Sequence, residues 1–505
     1  MEKTARPFLF WYQKMKVDEE EQEEEVDGPG AKRTTKHPFF HPVIVSRQNT
    51  RDQLAGDESV HVFRKIVTLD ISQLRSRRSL GSRDGLRLSD MCVYFYDKDA
   101  FRSALHLRSM SYLWMTILMG IFYTLPVFQL VLHYQETSVN SGNLDICYYN
   151  YDCLYHYLFL EDFGHVFSNV SYMICGAFFL VVAFHRSWKN KAVCREGRGM
   201  DRTDPLHPEN CGIPEQYGIY YAMGSSLIME GLLSGCYHIC PTARNFQFDT
   251  TFMYAIAVLI FLKVYQFRHP DITYTAHLVF LVFGLILVLE VVGYFTNHVI
   301  FWIIFVVVYM VILLVFLLYI YNNGTCSIIS LRSLARLKPS QICQKLKEIR
   351  FRELIPSLTV ILVNVILAGF FLWTQKPGVS RYLLVIMMLN MLLYVLYYIF
   401  NKLYYRFRSE LWIWTEQVRV TTVVYGLLAA GFGVAAFLFF RTELKNSSVS
   451  PALSRNLNAP CFLGIFDNHD MWHFLSAVGL FFSFMFILTL EDLNIAVPRN
   501  KILVF

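Results

Sequence analysis

Three histidines, an aspartate and a serine supply the residue types from which a metal centre is built. Ser234 and His238 lie four residues apart where the apolar run closes on Leu232-Leu233-Ser234-Gly235-Cys236-Tyr237-His238, so on a helix they share a face. His469 and His473 repeat that spacing where Asp467-Asn468-His469-Asp470-Met471-Trp472-His473 opens the last apolar run. Two imidazoles one turn apart can ligate a single Zn²⁺, and His238 would add a third nitrogen from a neighbouring helix. Three protein ligands and an open position for water are the arrangement of a catalytic zinc rather than a structural one. Asp249 begins the next run after the Pro241 turn and is placed to act as general base or to orient that water. Ser234 would donate to an oxyanion or carbonyl. An HxxxH pair alone is a weak signal, because histidines at helix ends often rest at the membrane interface. The five residues point to a metal because they agree in side, depth and type.

The elements that must position them are membrane helices. The 505 residues are 54% hydrophobic, 16% aromatic and only 17% charged, with a mean hydropathy of +0.35. Ten apolar runs of spanning length lie near 109–133, 159–185, 216–238, 250–267, 274–296, 299–321, 354–374, 380–403, 420–440 and 469–490, and each is long enough to cross a bilayer. Backbone satisfaction in lipid leaves helices as their conformation, so the fold class is an all-α polytopic bundle. Short connections around Asn297 and Gly378 predict helical hairpins. Only the short run Pro7-Phe8-Leu9-Phe10-Trp11 follows the first residues, which is below a secretory h-region; the first span is expected to direct insertion itself.

Charge orients the bundle. The loop after the second span carries Arg186, Lys189, Lys191, Arg195, Arg198 and Arg202, and that after the sixth carries Arg332, Arg336, Lys338, Lys345, Lys347, Arg350 and Arg352. The stretch from His133 to Asp162 has no lysine or arginine. The positive-inside rule then puts both termini in the cytosol, with loops 134–158, 239–249 and 441–468 on the outer or lumenal side. Cys147, Cys153, Cys240 and Cys461 fall on that side, where disulfides persist. Cys147 with Cys153 is the closest local pair, and Cys240 with Cys461 would tie the two histidine segments; connectivity stays open at this stage. The sequon at Asn446 faces outward as a glycosylation site, whereas those at Asn169 and Asn323 fall in a span and in the cytosol. Residues 1–108 read as a polar, largely disordered cytosolic segment, acidic from Asp18 to Asp27 and basic from Arg75 to Arg87.

Further polar groups interrupt the spans. Glu161, Asp162, His165 and Asn169 form a stripe at helical spacing, and Glu230 lies one turn below Ser234; these either bond between helices or line a polar cavity under the metal. Glu290, Asn364 and Asn390 are read as single buried groups that hydrogen-bond between helices, worth about 1 kcal/mol or less each.

At these residues the chain resembles the SID (systemic RNA interference defective) transmembrane family, over roughly residues 105–505. The marks are Asp145-Ile146-Cys147-Tyr148-Tyr149-Asn150, Phe167-Ser168-Asn169, Cys211-Gly212-Ile213-Pro214, Tyr221-Ala222-Met223-Gly224 and Met229-Glu230-Gly231-Leu232-Leu233-Ser234. They continue through Cys236-Tyr237-His238, Phe246-Gln247-Phe248-Asp249-Thr250, the run from Tyr265 to Ile272, the segment from Asp467 to Ser476 and the tail Arg499 to Phe505. The resemblance implies a place in the wider CREST group of metal-dependent membrane hydrolases. In that group a serine, an aspartate and three histidines build a zinc site, which maps onto Ser234, Asp249, His238, His469 and His473. It also implies transport of double-stranded RNA, with cholesterol uptake and lipid hydrolysis as further proposals, and a homo-oligomer such as a dimer. Members usually begin with a signal peptide, a β-rich ectodomain and one more span; here the sequence starts within what looks like the following cytosolic loop.

The expected role is therefore RNA or sterol transport in the plasma membrane or the endosome and lysosome. The zinc-dependent lipid hydrolase is the close alternative, and zinc as a structural staple the third reading. The outer loops offer little base beyond Arg244, Arg441, Lys445 and Arg455, which counts against this segment gripping RNA phosphates alone. A sterol pattern runs from Leu396-Tyr397-Tyr398 to Lys402.

Overall fold

The computed structural model describes residues 87–88, 98–143, 146–196, 207, 210–214, 216–242, 245–270, 276–295, 299–321, 351–374, 379–408, 418–443 and 460–504. The chain forms α1 (Lys98–Ser141), α2 (Phe163–Ser168), α3 (Val170–Glu196), α4 (Tyr217–Tyr237), α5 (Thr251–Gln266) and α6 (Ala276–Phe295). There follow α7 (Val299–Tyr321), α8 (Phe351–Thr374), α9 (Val379–Arg408), α10 (Val420–Glu443) and α11 (Asn468–Thr489). One-turn 3-10 segments, Phe246–Asp249 and Asp492–Asn494, precede α5 and follow α11. Only isolated bridges, and no strands, occur among the described residues.

Among the described residues eight stretches are long and apolar enough to cross a membrane, in α1, α2–α3, α5, α6, α8, α9, α10 and α11. The other two expected spans are occupied by α7, which carries the apolar run Ile300–Leu314, and by α4. The latter holds Glu230, with Gly231, Ser234 and Gly235 in its second half and three tyrosines in its first two turns. It tolerates that polarity because it is the hub, packed on α1, α3 and α5 and buried along most of its length. Small residues make the approach close: a side chain at Gly176 would meet the Gly224 carbonyl at 2.8 Å, and one at Gly224 would meet Leu180. In contrast α10 packs on α11 and turns Val420, Leu427, Val434 and Phe437 outward, the composition of a lipid face.

The first long helix begins at Lys98, eleven residues before the expected boundary. The second expected span is broken at Asn169, whose side-chain amide donates to the His165 carbonyl at 2.8 Å. This is a local bond that competes with the helical ladder. Asn364 and Asn390, expected to be single, bond each other amide to amide at 2.9 Å in both directions, with the Tyr309 hydroxyl on Asn364. They clip α7, α8 and α9 together. The side chain of Glu290 and the sequons at Asn323 and Asn446 lie outside the described residues, as do residues 1–86 of the expected polar segment.

At the end of the bundle away from the histidines, Glu491 is ringed by donors. It accepts from Lys402 Nζ at 2.9 Å, Tyr398 Oη at 2.7 Å, Arg268 Nη2 at 3.2 Å and Asn494 Nδ2 at 2.5 Å. Next to it Asp492 pairs with Arg186 and, at 3.5 Å, with Arg419. The tail closes on this clasp, with Arg268 Nη1 donating to the Leu503 carbonyl at 3.1 Å and Leu88 N–H donating to Ile502 at 2.8 Å.

Candidate metal centre

Local sequence explains how each candidate ligand is presented. His238 caps the C-terminus of α4 and donates its N–H to the Ser234 carbonyl at 3.0 Å; Pro241 follows and cannot continue the helix. Helix α11 starts with a capping box in which Asp467 and Asp470 satisfy each other's backbone, so His469 and His473 fall on its first turns. Asp249 ends the 3-10 turn before α5. The side chain of Thr250 makes no cap for α5; instead the Glu230 carboxylate reaches over from α4 to the Phe252 and Met253 N–H groups. Glu230 thus ties the helix of Ser234 and His238 to that of Asp249.

The three histidines converge. His238 Nε2 and His469 Nε2 face each other at 3.1 Å, and one nitrogen from each of His238, His469 and His473 falls within 4.8 Å of the others. Ser234 donates to Asp249 Oδ1, which lies 3.6 Å from His238 Nε2. All five residues expected from the sequence therefore share one place.

Whether these groups suit a metal is tested by His473. It is fully buried, and its Nε2 has no hydrogen-bond partner. Its Nδ1 lies 2.8 Å from Ser168 Oγ, and that hydroxyl lies 3.0 Å from the His165 carbonyl. With the serine proton donated to the carbonyl, the oxygen accepts Nδ1–H and the Nε2 lone pair stays free. An oriented, orphaned nitrogen beside two converging ones is the donor set of zinc.

A second ring of groups surrounds the centre. His165 stacks on His238 with centroids 5.3 Å apart, holds Asp162 through Nδ1 at 2.6 Å and meets Asp467 through Nε2 at 3.3 Å. Asn150 donates to Asp467 at 2.9 Å. Although burial opposes its ionisation, the neighbouring His165 holds the Asp467 carboxyl well below the ordinary range. Glu161 does not join them; it pairs with the exposed His156 at 2.7 Å. Ser168 and Asn150 were not singled out as ligand-shell groups by spacing. Ser168 stands out only by its place three residues after His165 and within the family mark Phe167-Ser168-Asn169.

The cysteines pair as Cys147–Cys240 and Cys153–Cys461, so neither the local Cys147–Cys153 pair nor a Cys240–Cys461 bond forms. The segment after α1 is the hub instead, bridged to a residue two beyond His238 and to one eight before His469. Tyr148 N–H donates to the Pro241 carbonyl at 2.8 Å, and the Tyr149 hydroxyl to the Ile239 carbonyl at 2.7 Å. Burial, with Asp162 and Glu161 nearby, pushes the Tyr149 phenol above its usual range, so it remains a donor.

A family model described as dsRNA-gated channel SID-1 matches residues 68–505. SID1 transmembrane family member 1 of Rattus norvegicus is 38% identical over 405 residues, 78% of this chain and 47% of that protein. The Homo sapiens protein of the same name is 38% identical over 400 residues, 78% and 46% of the two chains. Cholesterol uptake protein 1 of Caenorhabditis elegans is 31% identical over 393 residues, 77% and 50%. The chain thus spans about half the length of the curated relatives it matches. Since the match runs through the whole helical bundle, from before α1 to the tail beyond Glu491, the chain belongs to the SID-1 channel family.

Proposed function

We propose that this chain is the membrane-embedded part of a passage for double-stranded RNA, with sterol as a second cargo. The observation that carries the reading is the family match over residues 68–505; the sterol cargo rests on the relative named for cholesterol uptake. The sterol pattern at 396–402 adds no support, since Tyr398 and Lys402 are turned inward to Glu491. Of the basic outer residues, Arg244, Lys445 and Arg455 lie outside the described ones. The disulfides favour an oxidising compartment for the histidine end. In this reading the centre faces outward or into a lumen, both termini lie in the cytosol, the membrane is the plasma membrane or that of the endosome and lysosome, and a homodimer is the working unit.

In this reading His238, His469 and His473 would hold zinc, which when bound would polarise a carbonyl or phosphoryl oxygen and lower the pKa of its water toward ~7. Ser168 orients His473, Glu230 fixes α4 against α5, and the two disulfides hold the ligand segments in register. A second reading, lipid hydrolysis, is favoured by one contact: the Ser234–Asp249 bond sets a hydroxyl and a carboxylate beside the imidazoles, where Asp249 would take a proton. In a third reading the metal only staples the helix ends.

Uptake of labelled double-stranded RNA by cells displaying the chain, against empty-vector cells, is the test. Uptake above background that falls in His473→Ala supports transport through the zinc-bearing bundle. Background-level uptake by surface-displayed protein overturns it, and lipid cleavage by the purified chain that disappears in Asp249→Asn would put the hydrolase in its place.

A further inference from the structure

Beside the histidine centre stands a group of charges that the three zinc ligands leave unbalanced. Asp162, Asp467 and Asp470 are 4%, 2% and 0% exposed, and a buried carboxylate is costly unless it is paired. Asp162 accepts from the His165 backbone and from His165 Nδ1. Asp467 Oδ1 accepts the N–H groups of His469 at 2.8 Å and Asp470 at 3.2 Å, and its Oδ2 accepts from Asn150. Asp470 Oδ2 accepts the Asp467 N–H at 2.9 Å, with the Ser168 hydroxyl beside the carboxyl. Its other oxygen, Oδ1, is buried without a partner. Among the described residues no lysine or arginine forms an ion pair with any of the three. One imidazole, His165, faces all of them.

The donor arrangement answers that imbalance. A carboxylate on Nδ1 is what stands behind a metal-bound histidine, fixing the tautomer and leaving Nε2 to the ion; Asp162 holds that position. His165, Asp467 and Asp470 each bring a ligand atom to within 4.8 Å of the others. The approach depends on Gly164, because a Cβ there would collide with the Ile465 carbonyl and touch Asp470 Oδ2 at 3.4 Å. The orphaned oxygen of Asp470 parallels the orphaned nitrogen of His473.

We infer that His165, Asp467 and Asp470 form a second divalent-cation site, adjoining the three-histidine centre and sharing α11 with it. One imidazole with two carboxylates suits Zn²⁺ or Mn²⁺, whereas Ca²⁺ and Mg²⁺ take oxygen ligands. The stacking of His165 on His238 places the two ligand sets side by side, so the bundle end is built for a pair of cations. The site stands on its own ligands, whether or not the histidine centre holds zinc.

The test is metal stoichiometry on the full chain in detergent, stripped with chelator, re-equilibrated with Zn²⁺ and counted by elemental analysis. Wild type should hold about two zinc ions, with about one left in Asp470→Asn, in His165→Gln and in His473→Ala, and almost none in His165→Gln combined with His473→Ala. About one zinc in saturated wild type, unchanged by His165→Gln and lost in His473→Ala, overturns the second site and leaves the histidine centre standing. The converse pattern, loss in His165→Gln with none in His473→Ala, supports the second site and sinks the first. The wild-type count requires no variant to fold. As a check on the Asp470 cap, Mn²⁺ bound to monodisperse His473→Ala should give an electron paramagnetic resonance signal from immobilised ion that His165→Gln abolishes; its persistence counts against the site.

Discussion

The two ends of α11 carry nearly the same chemistry and use it in opposite ways. At its C-terminal end Glu491 and Asp492 meet Arg186, Arg268, Lys402 and Arg419, and Glu491 is met by four donors. At its N-terminal end Asp467, His469, Asp470 and His473 crowd together with no ion pair to a lysine or arginine among the described residues, and His473 Nε2 and Asp470 Oδ1 have no hydrogen-bond partner there. Buried polar groups are satisfied as a rule. An end that satisfies its charges internally is a fastener. One that leaves buried lone pairs unsatisfied is where the proposed metals would bind. Burial alone does not separate the two, since the carboxylates at both ends are buried; the inventory of partners does.

Breaking the fastener should have the largest effect. Glu491→Gln strands Arg268 and Lys402 without their carboxylate and should cost about 3–5 kcal/mol, seen as a large fall in the detergent unfolding temperature with zinc content per folded chain unchanged. Wild-type unfolding would show that the clasp is only decoration. Next comes the strap over the other end. Removing Cys153 and Cys461 together as serines opens a linkage 308 residues apart in sequence and should cost about 2–4 kcal/mol. It should also weaken zinc binding, because the strap sets the relative position of His238 and His469; full retention of affinity would mean the helices alone hold the site.

A finer comparison separates binding from folding. Ser168→Ala removes the partner of His473 Nδ1 and should weaken zinc by about 10–100-fold in a competition titration, while the stripped protein unfolds at the wild-type temperature. A matching drop in stripped-protein stability would turn Ser168 into a packing residue. The smallest effect belongs to the membrane interior: Asn390→Leu breaks the reciprocal amide pair with Asn364 and should cost about 0.6 kcal/mol, with no change in metal content. A loss several times larger would give the α7–α9 clip a part in function.

Much of this molecule was written in local spacing. Apolar runs placed the helices, and the four-residue intervals of Ser234–His238 and His469–His473 put each pair on one face before any packing was known. The outer cysteines were legible as a group but their partners were not. The local pair Cys147–Cys153 is split because each cysteine faces a different helix-bearing segment, a fact of how α1, α4 and α11 stand around one another. The hub role of α4 was equally hidden, since its glycines and Glu230 weaken the apolar signal for the reason that makes it central.

By itself, then, the sequence determined the all-α class and the residues proposed to bind metal, because helix formation in lipid and i,i+4 geometry are properties of neighbours along the chain. Only the tertiary structure decided which charges cancel and which remain open. Glu491 finds Arg268 across 223 positions and Ser168 finds His473 across 305. Such meetings depend on the rotation and depth of packed helices, which side-chain size and shape fix together and no single segment encodes.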